Sequence, residues 1–228
     1  MLALTACSSK EPRVDARDYD AFWLWAGVKP QPVLAQAKTV YLLQGEIRDE
    51  PRPRVEPLRP GTPRVRHASL WIVYRVETLR WNSDISAQIN ADIARWRKAG
   101  NSVTGVQIDF DAATKGLSDY AGFLKQLRGK LPIDCKLGVT GLLDWSAQGD
   151  SAALNQLAGA VDEIVIQTYQ GRQTIAGYED YMSGLARLKL PFRIGLVQGG
   201  KWSAPTALAR NPNFKGYVVF LLNDAAAR

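Results

Sequence analysis

The sequence predicts an α/β fold of the (β/α)8 type, the TIM barrel, on three observations. Eight short apolar runs recur along the chain, and such runs are typical of parallel strands covered on both faces. Helical patterns separate many of these runs, as the alternation of strand and helix in this fold requires. The 228 residues, 46% of them hydrophobic, suffice for one sizeable core.

The eight predicted strands are the apolar runs themselves. Their predicted bounds are 22–28, 39–47, 69–77, 102–111, 136–145, 163–171, 192–200 and 216–223. Because chemistry in this fold occurs at the carboxyl ends of the strands, polar residues at these ends are the candidate site residues.

The predicted helices carry apolar residues at helical spacing. Residues 83–100 begin at a cap-like Ser83 and place Ile85, Ile89 and Ile93 on one face. A second helix, over 117–131, stops before a proline. Shorter helices are predicted over 151–160, 178–188 and 205–210.

The segment from Arg48 to Arg66 breaks this pattern. It contains six Arg and five Pro and shows no helical periodicity. It predicts an extended crossover in place of the second barrel helix. Two interpretations stay open: a solvated loop stiffened by proline, or a basic rim over the barrel mouth that attracts an anionic ligand.

Composition narrows the function classes. The formal charge is +7 and the pI about 9.5, but the basic residues are dispersed, without the aromatic-interleaved basic stripe of a nucleic-acid surface. Two isolated cysteines, Cys7 and Cys135, give no zinc spacing. The single histidine, His67, lies in an Arg/Pro-rich loop, which makes a Ser-His-Asp hydrolase an unfavourable interpretation. We expect no metal, no cofactor, no nucleic-acid partner and a monomer.

The first residues resemble the lipobox of bacterial lipoproteins. LTAC at 4–7 is followed by a polar SSKEP tether, so Cys7 would be the lipidated residue. A signal peptide needs a charged start and an apolar stretch of about 7–15 residues. Only Met1 to Ala6 precede Cys7 and they provide neither, so we expect the true start to lie upstream. The predicted division is a lipobox-like N-terminus and tether over 1–18 and a single barrel domain over 19–228. The predicted location is the bacterial cell envelope, with the lipid as the only membrane contact.

The fourth predicted strand, SVTGVQIDFD at 102–111, is the strongest sign of a site. Side chains alternate along a strand, so Gln107, Asp109 and Asp111 share one face. Three polar groups in a row are costly in an ordinary core but are suited to a strand that ends in a site.

The other strand ends add amides, carboxylates and aromatic rings, a combination that suits a carbohydrate. The candidate substrate-binding residues are Gln107, Trp25, Gln44, Tyr74, Asp144, Trp145, Gln167, Gln198, Trp202 and Asn223. Three predicted site residues have a structural alternative: Asp109 as a barrel acid bonded to Gln107 or Tyr169, Asp144 as a helix cap, and Trp145 as a core aromatic. Glu46 and Glu77, at the ends of the second and third strands, are expected to be loop or rim residues.

Two family resemblances follow from these residues. GVQIDFD at 105–111 and IQTYQ at 166–170 resemble the strand-four and strand-six motifs of family 18 glycoside hydrolases, which are chitinase-like barrels. The resemblance implies Asp111 as the proton donor, where the family has Glu, Asp109 as the preceding acid, and Tyr169 as the supporting tyrosine. Gln107 and Gln170 replace acids of the family pattern.

GVQIDFDA, TGLLDWS, IQTYQGR and GLVQGGKW together resemble a bacterial domain of unknown function, number 3142, over most of 22–223. That resemblance implies a chitinase-like barrel without an established activity.

Three functions remain open at this stage. The first is a cell-envelope glycosidase that acts on an amino-sugar or other polysaccharide, with Asp111, Asp109 and Tyr169 as catalytic residues. The second is a non-catalytic barrel that binds a glycan in the same cleft. The third is an envelope scaffold without a ligand, which predicts a closed barrel mouth.

Overall fold

The computed structural model describes residues 12–111, 116–145 and 155–223. Within them, eight parallel strands close into a barrel, which confirms the predicted fold class. The strands are β1 Ala21–Leu24, β2 Thr39–Arg48, β3 Arg54–Pro57, β4 Ser69–Val76, β5 Ser102–Asp109, β6 Lys136–Leu142, β7 Glu163–Gln167, β8 Tyr169–Gln170, β9 Gln173–Thr174, β10 Phe192–Val197 and β11 Phe214–Phe220.

The barrel order is β1, β2, β4, β5, β6, β7, β10 and β11, and β1 closes it by pairing with both β2 and β11. The antiparallel strand β3 extends the sheet beside β2, and β8 and β9 form a separate hairpin after β7. All eight predicted strands are therefore present. Most end earlier than predicted: β5 stops at Asp109 and β6 at Leu142.

The helices among the described residues lie outside the barrel. The helices are α1 Ser83–Lys98, α2 Leu117–Arg128 and the one-turn α3 Met182–Leu185, with 3-10 turns at Ala16–Asp18, Pro32–Gln36, Tyr178–Tyr181 and Leu208–Arg210. The cap of α1 is Asn82, one residue earlier than predicted, because its side chain accepts from the amide of Ile85. The predicted helix over 151–160 lies partly outside the described residues.

The barrel interior is filled by large aromatic side chains that pack against glycines. Trp23, Tyr41 and Trp71 form a buried inner cluster, in which the Tyr41 and Trp71 rings stack 5.7 Å apart. Glycines face them: a Cβ added to Gly105 or Gly195 would lie 2.7 Å from the Trp71 or Trp23 ring. The interior is thus a packed core with no room for extra atoms at these positions, which leaves the carboxyl ends of the strands as the place for chemistry.

The chain from 49 to 68 runs the whole height of the barrel. It leaves the carboxyl end of β2, pairs once as β3, and reaches the amino end of β4 without further regular structure. The expectation of a helix-free crossover is confirmed, but the rim hypothesis needs a correction. Arg48 lies at the mouth, whereas Arg64 and Arg66 lie at the opposite pole, beside the first residues of β4 and β5.

Residues ahead of β1 already pack on the barrel. The amide of Val14 donates to the carbonyl of Gly200, and the amide of Gly199 donates back to Val14, both at 2.9 Å. Val14 and Ala16 are buried in the outer core. Cys7 and its lipobox-like context lie outside the described residues, so the lipid anchor stays a prediction. Among the described helices, none combines the length and apolarity that crossing a bilayer demands.

Candidate functional site

The carboxyl ends of β2, β4 and β5 line a crevice of about 490 Å³, here called the acid crevice. Its walls carry more carboxylates than cations, and it contains both acids predicted on the fourth strand. The lining residues are Glu46, Arg48, Arg75, Val76, Glu77, Asp109, Phe110 and Asp111.

Asp109 is the buried acid of the crevice. As the last residue of β5 it faces inward, and Oγ1 of Thr140 on the neighbouring β6 donates to its Oδ1 at 2.6 Å. Burial raises the pKa of Asp109 to about 6, and the charge of Asp111 adds to that rise. The Thr140 hydrogen bond and the charge of Arg75 oppose it. The carboxyl of Asp109 therefore gains and loses its proton close to neutral pH.

Asp111 is the exposed acid of the crevice, two residues beyond Asp109. Within the described part of the chain neither carboxylate forms an ion pair. Arg75 on β4 lies level with Asp109 in the strand register and forms no ion pair in the same set. Sequence reasoning missed Arg75; its signal was a lone charge that alternates with Trp71 and Val73 on an apolar strand.

Two further carboxylates at the crevice are held by one arginine. Arg48 pairs with Glu46 through a short contact and with Glu77 at 2.6 Å, and Glu56 lies 3.5 Å from its Nε. Arg48 therefore already compensates the charges of Glu46 and Glu77, as is expected of rim residues. The sequence places Arg48 at the start of the Arg/Pro-rich segment, so it is not among the predicted site residues.

Gln107 lies beneath the acid crevice on the inner face of β5 and is fully buried. Its Oε1 accepts a hydrogen bond from Nε1 of Trp23 at 2.7 Å. Its Nε2 has no hydrogen-bond partner among the described residues. A buried donor left unpaired costs about 1–3 kcal/mol, so this amide is an energetic cost that the described contacts do not offset.

Tyr169, Gln167 and Trp25 lie together at the barrel mouth. The Tyr169 ring packs 5.4 Å from Phe220, and Trp25 packs 5.5 Å from the same ring. Burial raises the pKa of Tyr169 well above its ordinary value, and the charge of Asp109 raises it further. Tyr169 therefore keeps its proton and can donate a hydrogen bond close to Asp109.

Gln44 and Tyr74 do not face the barrel mouth, which corrects their predicted position among the substrate-binding residues. Both are fully buried under α1. Oε1 of Gln44 accepts from Nε1 of Trp96 at 2.8 Å, and the hydroxyl of Tyr74 donates to Asp92 at 2.7 Å. Their polar atoms join the barrel to its helix layer.

The aromatic residues predicted after β6 and β10 are also buried. Trp145 packs in the outer core, 6.3 Å from the Tyr120 ring, as its structural alternative held. Trp202 stacks on Tyr178 at 4.5 Å, so its face is covered by protein. Asp144 is exposed after the end of β6. Neither tryptophan offers a free ring to a sugar.

Gln198 and Asn223 hold loops around the mouth. Gln198 exchanges hydrogen bonds with Gln31 and accepts from the amide of Leu222 at 2.9 Å. The side chain of Asn223 accepts from the amide of Lys29 and donates to a carbonyl in the loop after β1. These hydrogen bonds hold both residues at the mouth and fix the loops that shape it.

The described residues contain no group of three His, Cys, Asp or Glu side chains arranged to hold a metal ion. Within that described part of the chain, the acid crevice offers instead the buried carboxyl of Asp109, the exposed carboxyl of Asp111, Arg75 without an ion pair, and the hydroxyl of Tyr169 nearby. This set can donate or accept a proton at a substrate bound in the mouth.

The sequence that carries this site matches a known family. Residues 73–189 match the family described as Domain of unknown function (DUF3142), which is just over half of the 228 residues. The chain belongs to the DUF3142 family. The matched DUF3142 segment runs from within β4 to the residues before β10, so it contains Asp109, Asp111, Thr140 and Tyr169. No curated protein matches the chain.

Solved structures share the barrel of this DUF3142 protein at low identity, which shows the fold alone. The spore cortex-lytic enzyme SleL of Bacillus cereus is 16% identical with a TM-score of 0.50, covering 78% of this chain and 49% of its own. The chitinase domain of the Clostridium difficile spore coat protein CotE is 13% identical with a TM-score of 0.51, covering 86% and 68%. The xylanase-A-amylase inhibitor protein XAIP-III is 9% identical with a TM-score of 0.55, covering 89% and 93%. The chain spans about half the length of SleL.

Proposed function

We propose that this chain is a glycoside hydrolase of the bacterial cell envelope that acts on a polysaccharide, with amino-sugar polymers as the first class to test. One observation carries the proposal: Asp109 and Asp111 share the acid crevice, neither is tied in an ion pair among the described residues, and the pKa of Asp109 is raised to about 6. Glycosidases typically cleave the glycosidic bond with a pair of carboxyl groups whose different environments separate their pKa values.

Each catalytic residue has a distinct role in the proposed reaction. Asp111 lies at the donor position of the motif and, in its protonated form, gives that proton to the oxygen of the leaving sugar as the glycosidic bond breaks, which leaves Asp111 as the carboxylate. Asp109 exchanges a proton near neutral pH and acts as the electrostatic partner of Asp111. Tyr169 keeps its proton and donates a hydrogen bond to the charge that develops on the substrate, including its own amide if the mechanism is substrate-assisted.

The fold and the N-terminal sequence support the remaining parts of the proposal. The structures that share the barrel include a cortex-lytic enzyme and a chitinase domain. The LTAC sequence ahead of the tether supports lipidation of Cys7 and thereby an envelope location.

The test is release of reducing ends from chitin, peptidoglycan and acidic or amino-sugar exopolysaccharides. The wild type is compared with Asp111→Asn and with a matched control, Asp119→Asn, an exposed aspartate on α2. General acid catalysis is typically worth about 10²–10⁴-fold, so the Asp111 variant should lose at least about 100-fold and the control nothing. Equal activity in Asp111→Asn and the wild type would disprove the assignment of the acid.

A second function, a non-catalytic glycan-binding barrel, is favoured by one observation. The residue at the donor position is Asp111, whose side chain is one methylene shorter than the Glu of family 18 hydrolases. The xylanase-A-amylase inhibitor proteins share the same fold, so the barrel itself does not imply catalysis. Depletion of the protein from solution by a polymer that yields no reducing ends would favour this function over the first.

A further inference from the structure

A second polar cavity lies at the amino ends of β4 and β5, at the pole opposite the acid crevice. Its volume is about 360 Å³, and we call it the amino-end pocket. Its lining, drawn from the described residues, contains no acidic side chain. The lining residues are Arg64, Val65, Arg66, His67, Ala68, Ser69, Gly100 and Ser102.

The backbone presents two arginines to this pocket. Val65 packs against the outer core, and its amide donates to Oδ1 of Asn101 at 2.7 Å. Asn101 is buried and also donates to the carbonyl of Pro63, so the segment is held on both sides of Arg64. Arg64 and Arg66 are exposed and both line the pocket, whereas Val65 between them is half-buried.

The two guanidinium groups are uncompensated. Among the described residues, neither Arg64 nor Arg66 forms a side-chain ion pair or hydrogen bond, in contrast to Arg48 at the mouth. A Cβ added to Gly100 would lie 3.4 Å from Nε of Arg64, so the absence of a side chain there leaves room for the arginine.

The turn into β4 keeps this arrangement at a conformational cost. His67 has φ of 62°, in the left-handed region that a residue other than glycine enters at a cost of about 1–2 kcal/mol. Ser69 and Ser102, the first residues of β4 and β5, add hydroxyl groups to the same lining. Hydroxyl donors beside paired arginines match the acceptor oxygens of a tetrahedral oxyanion.

We propose that the amino-end pocket binds a phosphate group. Arg64 and Arg66 supply the forked donors and the compensating charge, and Ser69 and Ser102 supply hydroxyl donors. The seven residue steps from Ser102 to Asp109 place the pocket about 23 Å from the acid crevice, so both can be occupied together. If the phosphate belongs to a lipid headgroup, the barrel mouth faces away from the membrane surface.

The test measures binding of inorganic phosphate by calorimetry at low ionic strength. Arg64→Gln combined with Arg66→Gln is compared with Arg52→Gln combined with Arg210→Gln, which removes the same charge from exposed arginines elsewhere. We expect one saturable site in the wild type and in the control, and affinity at least about tenfold weaker in the Arg64/Arg66 variant. Thermal unfolding confirms that both variants are folded.

Co-sedimentation with vesicles separates the two sources of phosphate. Vesicles of phosphatidylglycerol and phosphatidylcholine are compared with vesicles of phosphatidylcholine alone. Loss of both phosphate and anionic-vesicle binding in the Arg64/Arg66 variant assigns the pocket to a lipid headgroup, and loss of phosphate binding alone assigns it to a soluble phosphate. Binding that is absent in the wild type with both probes, or equal in the two double variants, overturns the proposal.

Discussion

Thr140 donates its hydroxyl hydrogen to Asp109 across the β5–β6 pair, at 2.6 Å. The bond favours the charged carboxylate, whereas burial and the neighbouring Asp111 favour the protonated acid. Asp109 is 8% exposed, so burial dominates, and its pKa settles at about 6. The Thr140 contact therefore limits how far burial raises the pKa of Asp109.

The pH dependence of stability follows from that raised pKa. The unfolded value of an aspartate is about 3.9, so between about pH 4 and pH 6 the folded protein binds more protons than the unfolded chain. The contribution of Asp109 to the free energy of unfolding therefore falls as the pH rises through this window. Asp109→Asn removes that loss, so relative to the wild type its free energy of unfolding should gain about 2 kcal/mol between pH 4.5 and pH 8.

Urea unfolding at the two pH values measures this difference. Asp119→Asn, exposed on α2, is the matched control and should differ from the wild type by the same amount at both. A pH-independent difference for Asp109→Asn would mean that the carboxyl does not carry the raised pKa.

Removal of the Thr140 hydroxyl should raise the pKa of Asp109 further, because a bond to the charged form is lost. Thr140→Val tests this, and the pKa is read from the carboxyl carbon chemical shift of Asp109. Thr168→Val is the matched control, since its buried hydroxyl donates to the carbonyl of Gly195 instead. An unchanged or lower pKa in Thr140→Val would contradict the assigned cause.

Gln44 should matter for stability and not for glycan binding. Gln44→Leu leaves Nε1 of Trp96 buried without its acceptor, which should cost about 1–3 kcal/mol of unfolding free energy. A double-mutant cycle with Trp96→Phe, followed by urea unfolding, isolates the pair, because removing both partners restores part of the loss. Weaker polymer binding with unchanged stability would return Gln44 to the site.

The contrast between Gln44 and Glu46 explains what sequence could and could not predict. Strand positions follow from apolar runs, because burial on both faces leaves a strong compositional signal. Strict alternation places Gln44 and Glu46 on one face, but a register shift between Leu43 and Gly45 separates them. Gln44 then faces α1 while Glu46 lines the acid crevice.

The same limit applies to Asp109 and Tyr74. Asp109 could be predicted as an inner acid because three polar residues alternate on one apolar strand. Tyr74 could not be excluded, because its partner Asp92 lies on α1 and a sequence pattern does not show which polar groups meet.

The inner glycines should tolerate no side chain. A Cβ at Gly105 would lie 2.4 Å from the carbonyl oxygen of Lys136 and 2.7 Å from the Trp71 ring. Gly105→Ala should therefore lower the free energy of unfolding by about 1–3 kcal/mol, since the backbone of β6 cannot move aside freely. Gly122→Ala is the control: nothing lies within 4 Å of its Cβ position on α2, and alanine there should stabilise by about 0.5–1 kcal/mol. Urea unfolding of both variants decides, and equal shifts would contradict the packing argument.

The pairing of β1 with β11 has a consequence for how the molecule is made. Phe22 is level with Val219 and Trp23 with Phe220, so the seam that completes the barrel joins segments at opposite ends of the described chain. During synthesis β1 can pair with β2 early, but its pairing with β11 requires almost all later strands, and contacts so distant in sequence form slowly. Until then the open strand edges can pair with other chains. Closure of the barrel is therefore a late event, and a fragment that lacks β11 should aggregate instead of accumulating as a partial barrel.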